Sequence, residues 1–379
     1  MRPLITHVIS SLSTGGAERS LLALIEDSRD EFDHRVVVLS KHDSMRGQFE
    51  AAARGGVTTV GLTRGVRGVP GFARAIRQVL HQPSDILHGW MHHGCLIATG
   101  AVVLQVHSRP CRLVWGVRND DGSRVVGLTE RLAIGLGRRM SHRCDVMISN
   151  SQRALDSLTR SGFVPKRALV VPNGVVVPAT DQVAAWRAAT RSRLGIAHDT
   201  PVAIYVGNLR PAKDPACLLQ AIQTAVLHMP TLVVLLVGRT STGSSDSEVC
   251  RAIRAQSCVR VLGEVHDVMP LISASDALVL SSRSEGCPTV VLEALACNRP
   301  VVSTDVGDLR QIVGVPGSVV DVGNGVELGL ALVRAVSERH FGFQPERNDS
   351  SFGMHSPYDR RYSSAALMAQ YRQLISDCN

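Results

Sequence analysis

The chain has 379 residues, of which 44% are hydrophobic and 20% charged, a composition typical of a globular protein with about two domains. Its longest apolar runs, such as 232–238, have the length of a strand and fall short of the roughly 18 residues that a membrane span needs. The nine cysteines show no Cys-x-x-Cys spacing, which favours reduced thiols in the cytoplasm and argues against a structural zinc site.

The formal net charge is +8 and comes almost wholly from arginine, since the chain has three lysines, Lys41, Lys166 and Lys213. Such a surplus suits anionic lipid, nucleic acid or phosphorylated small molecules, and it is equally compatible with surface arginines that bind nothing. An aromatic content of 4% leaves few side chains for stacking on bases, so nucleic acid is not an expected partner.

Short apolar runs alternate with helical stretches along the whole chain, which predicts an α/β fold with parallel sheets. The first half has predicted strands at 3–10, 34–40, 56–62, 84–90, 112–118, 145–151 and 167–173. After an Ala/Arg-rich connector at 178–200, the second half has predicted strands at 201–207, 231–238, 258–265, 276–282, 299–305 and 317–322. The pattern predicts two Rossmann-like domains that bind ligands at the carboxyl ends of their strands, in a cleft between them.

Two glutamates follow the predicted strand at 276–282. Glu285 falls in the loop after this strand, Pro288 suits the first turn of a helix, and Glu293 falls in its second turn. The backbone N–H groups at 287–290 would then point at the ligand and bind an anion. Carboxylates that accept from vicinal hydroxyls, next to amides that bind phosphate, predict a nucleotide sugar site. The alternative is a solvated loop glutamate and an unrelated surface glutamate.

Two cations follow the predicted strand at 201–207. Arg210 and Lys213 come shortly after Gly207, and Asp214 is placed to open the next helix. Cations just past the end of a strand can hold a diphosphate, although a solvated turn has the same composition.

A third loop follows the first strand, where Gly15 and Gly16 allow the backbone to approach a ligand closely at a helix N-terminus. The chain contains neither a Gly-x-Gly-x-x-Gly fingerprint nor a Walker loop. It also lacks an Asp-x-Asp sequence, the usual metal-binding signature of single-domain sugar transferases.

Taken in chain order, these stretches closely resemble the retaining glycosyltransferases of family 4, which have the two-domain GT-B fold. The resemblance covers "STGGAE", "VVPNGV" at 170–175, "VGNLRPAKD", "GEVHDV" at 263–268 and "EGCPTVVLE", which with the following residues to 313 is the most specific element. It implies an N-terminal acceptor domain at 1–180, a C-terminal donor domain at 181–360, and a final helix at 361–379 that crosses back to the first domain.

The resemblance also implies roles for individual residues. Glu293 corresponds to the residue that holds the ribose, Glu285 to the one that contacts the donor sugar, and Arg210 and Lys213 to the phosphate ligands. Asn208 stands where the family commonly has arginine. The remaining donor-site positions are Gly15 and Gly16 in a flexible loop, Val265 facing the base, and the backbone of Gly286, Cys287, Pro288 and Thr289.

One position departs from the family pattern, because Arg118 stands where many members have histidine and a subset has arginine. His88, His92 and His93 are other candidates for the cleft, although packing or hydrogen bonding is the more common role of such histidines. In a retaining transfer the departing phosphate takes the acceptor proton, so cations aimed at phosphate are needed more than a carboxylate base. We therefore expect no cofactor and no metal.

The resemblance implies sugar transfer from a UDP- or GDP-sugar to a glycan or lipid-linked acceptor, in cell-surface polysaccharide synthesis. Two alternatives stay open, a sugar-nucleotide epimerase of the same fold and a non-catalytic sugar-nucleotide-binding protein. A helix predicted within 124–143 places a basic edge beside an apolar stripe, which suits the anionic inner face of the cell membrane or an ordinary packed helix. The basic residues are Arg124, Arg131, Arg138 and His142, and the stripe is Leu128, Leu132, Leu136 and Met140.

Overall fold

The computed structural model describes residues 2–13, 15–41, 43–61, 68–80, 83–104, 111–118, 128–240, 247–338 and 358–377, with backbone alone at 68–70 and 128–130. The chain divides into two compact units. The first unit comprises Met1–Gly174 and Arg360–Asn379, and the second comprises Val175–Asp359. Where the chain enters and leaves the second unit, Val175 and Asp359 form a parallel bridge, and the Val175 amide donates to the Tyr358 carbonyl at 2.9 Å.

The first unit contains a seven-stranded sheet in the order β3-β2-β1-β4-β5-β6-β7, with every pairing parallel. Its strands are β1 (Leu4–Ile9), β2 (Asp33–Val38), β3 (Val57–Thr59), β4 (Ile86–Trp90), β5 (Arg112–Val117), β6 (Val146–Ser149) and β7 (Arg167–Val170). Six of these lie within stretches that the sequence predicts as strands, and β2 begins one residue before its predicted stretch at 34–40.

The second unit contains a six-stranded sheet in the order β10-β9-β8-β11-β12-β13, again with every pairing parallel. Its strands are β8 (Val202–Val206), β9 (Val233–Val237), β10 (Val259–Gly263), β11 (Ala277–Leu280), β12 (Val301–Thr304) and β13 (Val319–Val320). The predicted α/β fold with two Rossmann-like units is therefore confirmed.

Helices connect the strands and cover both faces of each sheet. The described helices are α1 (Gly16–Ser28), α2 (Arg46–Ala52), α3 (Gly68–Leu80), α4 (Met91–Leu104), α5 (Leu128–Met140), α6 (Gln152–Arg160), α7 (Thr180–Arg193), α8 (Pro215–His228), α9 (Glu248–Arg254), α10 (Met269–Ala274), α11 (Thr289–Ala296), α12 (Leu309–Val313), α13 (Gly325–Ser337) and α14 (Arg360–Ser376). Within the described ranges, no helix combines the length and apolar character needed to cross a membrane.

The last helix, α14, packs on α1 in the first unit and completes one face of the first sheet. Its buried residues Leu367, Tyr371 and Leu374 join a core with apolar side chains of α1 and of strands β1, β2 and β4. At its start, the Arg360 guanidinium donates to the Asp27 carboxylate at 2.9 Å, which ties the helix to α1.

Three buried histidines lie on neighbouring strands beneath α1 and α14. His7 on β1, His34 on β2 and His88 on β4 are each at most 1% exposed. Burial lowers the pKa of all three, to about 4 for His34 and about 3 for His88, and repulsion from the other two rings lowers that of His7 further. The folded chain therefore holds three neutral imidazoles.

We expect this histidine cluster to make the protein acid-sensitive. Because the folded pKa values lie below the unfolded value of about 6.5, the unfolded chain binds more protons as the pH falls, and stability is lost from about pH 6.5 towards pH 4. A shift of the size seen at His34 corresponds to roughly 3 kcal/mol at most.

Urea unfolding between pH 8 and pH 4.5 measures this loss. The His34→Gln variant should flatten the dependence of unfolding free energy on pH, whereas His142→Gln, which removes an exposed histidine, should not. Identical profiles for both variants and the wild type would contradict the assignment.

Candidate active site

The two sheets each have a point where the strand order reverses, between β1 and β4 in the first and between β8 and β11 in the second. In open parallel sheets, ligands bind at the carboxyl ends of the strands at such a point. The loops that emerge there carry Gly15 and the first turn of α4 in the first unit, and Lys213 and Glu285 in the second. The topology thus selects the loops that the sequence motifs indicate.

Lys213 and Glu285, which lie 72 residues apart, meet at the reversal point of the second sheet. The Lys213 ammonium donates to Glu285 Oε1, and Ser282 Oγ donates to the same oxygen at 2.7 Å. Both charged side chains are about 15% exposed. Such a pair can open when a ligand binds. The ammonium then contacts an anionic group of the ligand, and the carboxylate accepts hydrogen bonds from donors of the ligand.

Further hydrogen bonds and an ion pair join the loop after β8 to the loop after β11. The Arg283 amide donates to the Ala212 carbonyl at 2.8 Å, and Ser281 Oγ donates to the Lys213 carbonyl at 2.7 Å. The Arg283 guanidinium also pairs with the Asp214 carboxylate at 2.8 Å. Asp214 caps α8 as predicted, accepting from the Cys217 amide, although its backbone adopts a left-handed conformation that is uncommon for aspartate. The loops therefore form one preorganised unit.

Glu293 lies in the second turn of α11, as predicted, and is 8% exposed. Pro288 differs slightly from the prediction, since its extended backbone makes it the residue before the helix and Thr289 the first helical one. In this turn the Val291 amide donates to the Pro288 carbonyl at 3.1 Å, and the positive end of the helix dipole lies at Thr289. This end of α11 can therefore bind an anion beside Glu285.

Three other predicted donor-site residues occupy the same edge of the second sheet. Asn208 Oδ1 accepts from the Arg239 amide at 2.8 Å, so this side chain links the loops after β8 and β9. Arg210 is exposed just before the short helical turn at Pro211–Lys213. Val265 is half-buried in the loop after β10 and packs on the core.

Tyr205 is a residue of this site that the sequence did not single out. It is fully buried at the end of β8, and its phenol oxygen has no hydrogen-bond partner within the described part of the chain. Burial, together with the negative charge of Glu285, raises the pKa of this phenol. The hydroxyl lies beneath Gly207, where a methyl group would come within 3.3 Å of it.

In the first unit, Gly15 and Gly16 begin α1 at the predicted position. A side chain at Gly15 would collide with the Glu18 carboxylate, which folds back over the turn and accepts from Ser11 Oγ at 2.9 Å and Ser13 Oγ at 3.2 Å. The Glu18 carboxylate thus stabilises this loop through hydrogen bonds, a role that the sequence motif does not predict.

Arg118 follows β5 directly and is held on three sides. Its guanidinium donates to Ser20 Oγ at 2.9 Å and to Asn173 Oδ1, and it lies over the Trp90 ring, 4.8 Å from the ring centre. Ser20, Trp90 and Asn173 come from three distant parts of the sequence, so no local pattern predicts the arrangement.

The three candidate histidines have different surroundings. His88 is buried, with Nδ1 2.6 Å from the Tyr371 hydroxyl, and its low pKa keeps it neutral. His92 is buried in the first turn of α4, and His93 is half-buried beside it. Across the described ranges, no group of three or more histidine, cysteine, aspartate or glutamate side chains is arranged to hold a metal ion.

Two family models match the chain, one in each half. Residues 14–177 match the model described as Glycosyltransferase Family 4, and residues 200–338 match the one described as Glycosyl transferases group 1. The chain belongs to the family 4, group 1 glycosyltransferases. Both models include the loops described above, and the predicted family is thereby confirmed.

Two relatives are D-inositol 3-phosphate glycosyltransferases. That of Geodermatophilus obscurus is 31% identical over 291 residues, which are 68% of this chain and 61% of the relative. That of Kineococcus radiotolerans is 33% identical over 178 residues, which are 44% of this chain and 41% of the relative. The chain thus spans about half the length of these relatives.

The fold is also that of solved GT-B glycosyltransferases. The structure of the Anabaena HepE protein in complex with UDP-glucose matches 99% of this chain and 98% of its own, with a TM-score of 0.73 and 19% identity. At this identity the likeness establishes the GT-B fold.

A glycine in the loop after β12 supports the backbone at Glu285. Gly307 has a φ of +52°, and a methyl group there would lie 2.0 Å from the Gly286 carbonyl oxygen. We therefore expect Gly307→Ala to destabilise the protein by more than about 3 kcal/mol, because it combines backbone strain with a collision.

Gly323→Ala is the matched control, since Gly323 also has a positive φ, +84°, with open space around it. Gly323→Ala should lower the free energy of unfolding by about 1–2 kcal/mol. Chemical denaturation of the two variants measures both values, and equal losses would show that the loop contact is unimportant.

Proposed function

We propose that this protein transfers a sugar, with retention of anomeric configuration, from a nucleotide diphosphate sugar to a hydroxyl of a glycan or lipid-linked acceptor in cell-surface polysaccharide synthesis. UDP is the favoured nucleotide, because HepE of the same fold binds UDP-glucose. An inositol phosphate is a second candidate acceptor, favoured by the names of the relatives.

The observation that carries the proposal is the contact between Lys213 and Glu285 at the reversal point of the second sheet. A donor sugar nucleotide presents a diphosphate and several hydroxyls, which match an ammonium and a carboxylate respectively. On binding, the diphosphate replaces Glu285 as the partner of Lys213, and Glu285 accepts from sugar hydroxyls. Glu293 binds the ribose hydroxyls, and the loop at Val265 lies at the base.

In the transfer step, the bond from the anomeric carbon to the diphosphate oxygen breaks as the acceptor oxygen bonds to that carbon from the same face. The acceptor proton passes to the departing phosphate oxygen, and the products are a glycoside and a nucleoside diphosphate. Charge grows on the diphosphate, where Lys213, Arg210 and the first amides of α11 stabilise it. Arg118 remains protonated and assists through its charge or by positioning the acceptor.

We expect transfer to proceed with retention and to continue in excess EDTA, because these cationic groups take the place that a metal ion has in other transferases. Purified protein is incubated with UDP- and GDP-sugars and candidate acceptors, with and without EDTA, and the product's anomeric configuration is read by NMR. An inverted product or complete loss of turnover on chelation contradicts the mechanism. Isomerisation of the donor without an acceptor would favour the epimerase instead.

We expect Lys213→Ala to lower turnover at saturating donor by a factor that corresponds to about 2–4 kcal/mol, since it removes a charge-assisted contact to the leaving group. The matched control is Lys166→Ala, which removes an exposed lysine that pairs with the buried Asp145 in the first unit. Steady-state kinetics on both variants tests the assignment, and similar turnover would disprove it.

We further propose that the protein binds the anionic inner face of the cell membrane through α5. Leu132 and Leu136 on this helix are 65% and 47% exposed, and the neighbouring Arg131 and Arg138 are exposed as well. Exposed leucines beside arginines suit insertion among anionic headgroups. Met140 is half-buried, so the stripe is shorter than the sequence indicates.

Two other parts of the predicted membrane helix differ or are not described. His142 lies beyond α5, in a short 3-10 turn at Ser141–Arg143. Arg124 and the side chain of Leu128 lie outside the described residues.

Flotation with phosphatidylglycerol vesicles tests the membrane proposal. The wild type should float at low salt, and the double change Leu132→Ser and Leu136→Ser should reduce flotation several-fold, because it removes the apolar contact. Leu227→Ser is the matched control, since Leu227 is 81% exposed on α8 in the second unit. Equal flotation of all three proteins, or none, would exclude α5 as the lipid contact.

A further inference from the structure

A continuous chain of hydrogen bonds runs through two of the buried histidines of the first unit, His7 and His34. The Trp90 indole Nε1 lies 3.2 Å from His7 Nδ1, His7 Nε2 lies 3.0 Å from His34 Nδ1, and His34 Nε2 lies 2.8 Å from Ser28 Oγ. Ser28 Oγ in turn bonds the Leu24 carbonyl within α1. We call these five residues the indole chain.

The two ends of the indole chain fix the direction of every bond in it. The Trp90 indole nitrogen can donate and cannot accept, so His7 Nδ1 is the acceptor and His7 Nε2 carries the proton. That proton is donated to His34, which passes its own N–H to Ser28. The serine hydroxyl then donates to the Leu24 carbonyl, which can accept and cannot donate. Each ring is therefore neutral, in one tautomer and one orientation.

Trp90 also contacts Arg118, the cation of the candidate active site. The Arg118 guanidinium lies 4.8 Å from the centre of its ring, and His88 is stacked on the same indole at 4.5 Å. An indole face attracts a guanidinium and prefers it near the ring centre. The orientation of the indole thus decides where the guanidinium lies.

The backbone at Trp90 is constrained as well. Trp90 is the last residue of β4, and Met91 begins α4 directly with a φ of +59°, which is strained for a residue with a side chain. Gly89 and Gly94 allow this junction, since a methyl group at Gly94 would lie 2.3 Å from the Val8 carbonyl oxygen. The strained backbone and the hydrogen bonds together fix the position of the Trp90 indole.

We propose that Trp90 is a positioning residue for Arg118 and that the indole chain sets the orientation of its ring. The proposal rests on the proposed function, in which Arg118 assists sugar transfer. Apolar side chains in place of His7 and His34 would fill the core without burying polar groups, so stability alone does not account for the chain. A fixed ring beneath a catalytic cation does account for it.

The test is a double-mutant cycle between Trp90 and Arg118, read as kcat and donor KM in the full-length protein. Trp90→Leu removes the ring and should lower kcat about 3- to 30-fold with donor KM unchanged. Trp90→Phe keeps an aromatic face but removes the donor to His7, and should lower kcat about 3-fold. In the Arg118→Ala background, both changes should have less than a 2-fold effect, because Trp90 acts through Arg118.

Trp115→Phe is the matched control. Trp115 is as deeply buried on β5, and its indole donates to Thr99 Oγ1 at 3.0 Å on the opposite face of the same sheet. Its replacement should lower the melting temperature without lowering kcat. If Trp90→Leu does not fold, the double-mutant cycle is measured with Trp90→Phe and Arg118→Ala. Effects that multiply independently with Arg118→Ala, or an Arg118→Ala variant with wild-type kcat, overturn the proposal.

A spectroscopic reading separates this proposal from the proposed function. With Trp115 and Trp186 changed to Phe, Trp90 is the one remaining tryptophan of the chain's three. Arg118→Ala should then shift its emission, because the cation leaves the ring, and an unchanged spectrum overturns the contact. Failure of the proposed function would appear differently, as no transfer by the wild type with any UDP- or GDP-sugar while the emission shift persists.

Discussion

The arrangement of this protein depends on one constraint, that all strands within each sheet run parallel. Parallel strands have their carboxyl ends at one edge, so every loop that follows a strand emerges there. Residues far apart in sequence are thereby gathered, as Lys213 and Glu285 are in the second unit and Ser20 and Arg118 in the first. The reversal of strand order then leaves a gap between neighbouring loops in which a ligand can lie.

The charged groups of the candidate site have different kinds of partner in the two units. In the second, a partly buried ammonium and a partly buried carboxylate neutralise each other, and such a pair can open towards a ligand that carries both phosphate and hydroxyls. In the first, the buried ionisable rings are neutral, and the cation Arg118 is held by an aromatic face, a hydroxyl and an amide.

The sequence predicts the strands, the family and the position of the site, because alternating apolar runs and the residues after them are local features. It also predicts that Glu293 falls one turn into α11. It does not predict that Tyr371 bonds His88, since these residues are 283 positions apart and meet through packing of α14. Asn208 shows a second limit, because its bond to the Arg239 amide depends on how closely two loops approach.

The parallel bridge between Val175 and Asp359 has a consequence for how such proteins diversify. The second unit is an uninterrupted segment inserted into the first, and its two ends lie side by side. Recombination can replace such a segment as a module, since the host needs to match one short spacing and no internal register. A segment of this kind can thus pass from one lineage to another as a whole, and new combinations of the two units arise without rebuilding either core.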